Sequence, residues 1–139
     1  MTRRRATIVL HWANVVLLSL LIAGGLQPAV GLAFAATGLA MTAIAFIRGL
    51  MSGPGPKLEG VMRSAHPILA WVMYAFLGIT ALNVALAIFG VMPEDAAGRL
   101  VLGLFGVMWL HAIFHLWRHT ALGDGALRRI MPRVFHDAL

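Results

Sequence analysis

Four apolar runs, separated by short clusters of polar or turn-forming residues, set out the chain. They cover residues 6–26, 28–50, 66–91 and 100–117, each close to the ~20 residues a helix needs to cross a bilayer. Gln27 and Pro28 leave room only for a tight turn, so the first two helices should form an antiparallel hairpin. The second break, SGPGPKLEG at 52–60, alternates Gly and Pro where no helix can continue. PEDAAGR at 93–99 reads as the third connection, and no internal repeat or low-complexity tract interrupts the pattern. The expectation is a single all-α domain over residues 1–139, a transmembrane four-helix bundle with antiparallel up-down topology and a tail at 118–139.

Composition agrees with that reading. Apolar residues make up 60% of the chain and charged residues 12%, with a mean hydropathy of +0.87, which describes a membrane protein rather than a soluble core. A formal charge of +6 could suggest nucleic acid. The basic residues sit at the ends of the apolar runs, however, where they meet lipid head groups, so the bilayer is the expected partner and nucleic acid is not. With no cysteine, disulfides, iron–sulfur clusters and thiolate-ligated haem are excluded. The N-terminal MTRRRATIVLHWA has the basic flank of a signal peptide, but its apolar run continues too far, so it reads as a retained first span. Of the 11 Lys and Arg, only Arg99 falls on the side that carries the first and third connections. That bias predicts both termini in the cytoplasm.

The histidines sort by depth. His11 lies six residues after Arg5, about 9 Å in, and His111 lies seven before Arg118, about 10 Å in, at 1.5 Å per residue. His66 and His115 lie at roughly 5 Å by the same measure, while His119 and His136 fall at or beyond the surface. Two imidazoles at matching depth on different helices are what a six-coordinate haem b requires, with its apolar edge between helices and its propionates toward basic residues. His11 and His111 are the candidate iron ligands, and His66 and His115 further hydrogen-bond donors. Arg63 and Arg118, with Arg3, Arg4, Arg5 and Lys57, are candidate propionate partners. Each arginine could equally be an ordinary interface anchor, and each buried histidine could bond a neighbouring helix. Ionisable groups inside spans are functional by default, which favours ligation, and one depth of ligands predicts one haem.

A zinc or di-iron site at His115 and His119 would want carboxylates inside the spans, and none is there. Asn14, Asn83, Thr37, Thr42 and Thr80 read as interhelical hydrogen-bonding groups. The glycines of the spans, among them Gly31, Gly38, Gly78, Gly103 and Gly106, would let a macrocycle or a neighbouring helix approach.

LHAIFHLWRHTALGDGALRRIMP, at 110–132, strongly resembles the C-terminal segment of the bacterial cytochrome b561 family, with His111, His119, Asp124, Leu127 and Pro132 in matching positions. LHW at 10–12 resembles the family's first-helix ligand motif, and SAHPILAWVMYAF is more loosely similar to its third helix. The resemblance implies a four-helix cytochrome of the bacterial inner membrane, with His11 and His111 as the axial pair of the cytoplasmic-side haem. Family members typically carry two haems b. Where the second pair of ligands would stand, this chain has Phe34 and about Ala97, neither of which can ligate iron. The family's longer loops are also missing.

The resulting expectation is an electron-transfer component of a respiratory chain, working with a quinone or within a larger redox complex. A single cofactor on one side cannot carry electrons across ~30 Å of hydrocarbon alone. Bis-histidine ligation leaves no position for oxygen, so a stand-alone enzyme with its own substrate pocket is not expected. The competing reading is a haem-free structural or assembly subunit of a membrane complex. A small-solute transporter would need broken helices and midplane polar groups that the chain lacks.

Overall fold

The computed structural model describes residues 2–51 and 53–138, without the side chains of Arg133, Asp137 and Ala138. Ser52 of the loop and the side chain of Arg133 in the tail thus lie outside the described residues. Helices α1 (Arg3–Gly24), α2 (Pro28–Arg48), α3 (Gly60–Ile88) and α4 (Glu94–Thr120) are followed by two short 3₁₀ segments, Leu127–Arg129 and Arg133–Ala138. All four helices are long and apolar enough to cross a membrane.

The helix limits follow from local chemistry. The Thr2 side chain caps α1 by accepting from the Arg5 amide at 3.4 Å, so the arginine triplet forms the first turn instead of preceding the helix. Gly25, at φ 73°, ends α1, and its amide closes on the Leu21 carbonyl. Pro28 then occupies the first turn of α2, where its missing N–H costs nothing. Two expectations are corrected here. Helix α3 begins six residues before His66 and carries Pro67 in its interior. The stretch 93–99 is not a loop, because α4 starts at Glu94 with Pro93 as its N-cap. Glu94 and Asp95 lie in the first turn, where the positive end of the helix dipole favours acids. Arg99 pairs with Asp95 one turn on, at 2.6 Å.

Each helix packs against its neighbour in sequence, and α1 also meets α4. Glycines set the α2–α3 contact. A Cβ on Gly38 would lie 2.9 Å from that of Ala81, and one on Gly78 would lie 3.0 Å from Thr42. Without water to drive association between apolar helices, this close approach supplies the dispersion that holds them. Polar groups add to it. Thr37 Oγ1 donates to Asn14 Oδ1 at 3.1 Å between α2 and α1, and Thr42 Oγ1 to the Tyr74 carbonyl at 3.3 Å between α2 and α3. Asn83 instead bonds within its own helix, to Ile79.

The buried core gathers Leu18 and Leu21 of α1, Phe34 of α2, Leu77 to Ala87 of α3, and Ala97, Val101 and Leu104 of α4. Apart from Met41 of α2, which belongs to the same cluster, these are the late residues of α1 and α3 and the early residues of α2 and α4, so most of the core lies in one half of the assembly. Phe34 and Ala97 are both 0% exposed within it. Large side chains such as Phe46, Ile47, Val61 and Leu110 stand exposed on the outside, as a lipid-facing surface requires.

Candidate functional site

A cavity of about 520 Å³ opens mainly in the opposite half and reaches along α1 as far as Ser19 and Ile22. It is lined by all four helices and by the tail, including Thr7, His11, Met41, His66, Tyr74, His111, His115 and Ile130. That volume lies within the ~300–1,000 Å³ common for small-molecule and cofactor sites. The cavity follows the α1–α4 seam, the most sparsely packed of the four. It therefore occupies the place where neighbouring side chains leave off.

His11 enters from α1, His66 from α3, and His111 and His115 from α4. One helical turn separates the last two, and their ring centroids are 4.5 Å apart. His115 in turn meets the edge of His66, centroid to centroid 6.5 Å, so three imidazoles form a continuous row. His66 is only 5% exposed, and its Nδ1 has no hydrogen-bond partner among the described residues. A buried nitrogen left unpaired costs about 1–3 kcal/mol, which a polar or metal-bearing occupant of the cavity would relieve. Among the described residues, no group of three or more His, Cys, Asp or Glu is arranged to hold a bare metal ion. A macrocycle that brings its own four nitrogens asks only two axial ligands of the protein, and His11 of α1 and His111 of α4 both line the cavity.

The tail folds back over this end. Arg118, 1% exposed at the close of α4, donates to Asp124 Oδ2 from Nε at 2.8 Å and also from Nη2. Its Nη2 reaches the Pro54 carbonyl at 2.8 Å, tying the α2–α3 connection into the same knot. The second oxygen of Asp124 accepts the Ala126 amide at 2.8 Å. Further along, Trp12 Nε1 donates to the Ile130 carbonyl at 3.2 Å, and Arg4 reaches the carbonyls of Arg128 and Arg129. These bonds hold Leu127, Ile130 and Met131 against the cavity.

Most of the expected propionate partners have other work. Arg63 lies outside the cavity lining and donates to the carbonyls of Gly55 and Leu58 at 2.9 and 3.2 Å. Lys57 holds the Gly123 carbonyl at 2.9 Å, and Arg3 holds that of Gly49. Arg118 does line the cavity, but Asp124 already balances its charge. Arg129 lines it too, although nothing in its sequence context marks it out. Only the path of the tail separates it from Arg128, which is exposed. His136 bonds the Met131 carbonyl at 3.1 Å, away from the cavity lining. The glycines divide: Gly31, Gly38, Gly78 and Gly103 meet side chains of a neighbouring helix, whereas a Cβ on Gly106 would meet nothing within 4 Å.

No family model, curated protein or solved structure matches this chain, and none of these comparisons identifies it as a cytochrome b561.

Proposed function

We propose that the protein is a membrane b-type cytochrome that transfers electrons through one haem b, held in the cavity between His11 and His111. One observation carries this reading: imidazoles from α1 and α4 line a single cofactor-sized cavity, at the end of the bundle where the packed core stops. The bound group would supply one-electron chemistry. The chain's own residues would hold it, exclude water with Met41, Tyr74 and the apolar tail, and meet its polar edge with His66 and His115. The filled half, with Phe34 and Ala97 fully buried, supports one such group rather than two.

On this reading the bundle is an up-down one in a bacterial inner membrane with both termini cytoplasmic, as the distribution of Arg and Lys favours. The resemblance of residues 110–132 to the cytochrome b561 family supports the same assignment. Electrons would be exchanged with a quinone or with a redox partner in a larger complex. Purified protein tests the proposal through reduced-minus-oxidised spectra and pigment stoichiometry. A sharp b-type band, close to one haem per chain, and its loss in both His11→Ala and His111→Ala are expected. A featureless spectrum, or a band untouched by either change, overturns the assignment and favours a structural subunit.

A further inference from the structure

The geometry points to Arg129 as the residue that recognises an anionic group on whatever fills the cavity, with the C-terminal tail acting as a docked cover that presents it. The inference rests on the haem reading for its ligand class, an amphipathic macrocycle bearing carboxylates.

Charge at the tail end of the cavity decides the matter. Two arginines are among the residues that line it, Arg118 and Arg129. Asp124 is spent on Arg118, with which it forms a buried ion pair. Arg129 Nη2 donates only to the neutral Asp124 carbonyl, at 3.2 Å, and among the described residues no carboxylate pairs with it. One positive charge is therefore left unbalanced beside a cavity otherwise lined by apolar side chains, imidazoles and the hydroxyls of Thr7, Ser19 and Tyr74. A carboxylate entering there gains a charge-assisted, forked hydrogen bond in a site of low dielectric.

The cover is held independently of that charge. The Arg118–Asp124 pair, the Trp12 bond to Ile130 and the Arg4 bonds to Arg128 and Arg129 fix the tail's backbone. Replacing the Arg129 side chain thus removes the cation while leaving those three attachments in place.

The test titrates apoprotein in zwitterionic phosphatidylcholine nanodiscs with haemin and with haemin dimethyl ester, which lacks free carboxylates. The lipid is chosen so that no anionic headgroup substitutes for the ligand. Wild type should bind haemin about tenfold more tightly than the ester, the size expected of one charge-assisted contact. Arg129→Gln should erase that preference while binding the ester as wild type does, Arg129→Lys should keep part of it, and Arg128→Gln should keep all of it. An unchanged preference in Arg129→Gln overturns the inference. So does loss of both ligands in that variant, which would give Arg129 a purely structural part. Equal binding of the two ligands by wild type removes the anion site but leaves the cytochrome reading standing; binding of neither removes both.

Discussion

The two halves of this bundle are built from the same helices and differ in what fills them. In one, Phe34, Val84, Ala97 and Leu104 interdigitate with almost no exposure, and Gly38 brings α2 against Ala81. In the other, four imidazoles and a folded-back tail surround about 520 Å³ of space. Apolar side chains of ordinary size close a four-helix bundle completely. A cavity of this size persists only where something else spans the gap, and here the tail does so with a buried ion pair. A group entering the filled half would first have to displace the packed Phe34.

Asp124→Ala should strike the contrast hardest. It strands Arg118 without its carboxylate at a position 1% exposed, a change that costs about 3–5 kcal/mol when a buried pair is broken. Denaturant titration in detergent micelles would measure the loss, and limited proteolysis should show cleavage of the tail while the helices stay intact. Uniform cleavage across all four helices would mean that the halves are not independently supported. Glycine changes come next. Gly38→Ala pushes a Cβ to 2.9 Å from Ala81 and should cost ~1–3 kcal/mol by overpacking. Gly106→Ala meets nothing within 4 Å and should gain ~0.5–1 kcal/mol from helix propensity. Equal effects of the two would erase the distinction between filled and open packing. The smallest change is Thr42→Val, which removes one interhelical bond and should cost about 0.6 kcal/mol. A loss several times larger would place polar bonding, rather than glycine contact, in charge of the α2–α3 seam.

Much of this was legible in the chain. Apolar runs reveal the helices because lipid demands them, and the turn spacing of His111 and His115 puts them on one wall without any knowledge of tertiary structure. Helix starts were harder to read. Glu94 and Asp95 look like loop residues until the dipole of the helix they begin is considered, and the interior Pro67 hid the first turns of α3. Least legible were Asp124 and Arg129. Their roles depend on a chain reversal at Gly123 and Gly125, both at positive φ, and on bonds from the Trp12 and Arg4 side chains to tail carbonyls more than a hundred positions away. No local periodicity encodes such an approach.

The knot at Arg118 has a kinetic consequence. Its guanidinium holds a carboxylate and a carbonyl from two separate segments at once. Lifting the tail part-way would leave a bare charge in a buried position, so half-open forms stay sparsely populated and opening is all-or-none. Opening of the tail itself is then a single first-order step, whereas the cavity's flank at the exposed Trp12, Ile22 and Trp109 does not depend on it.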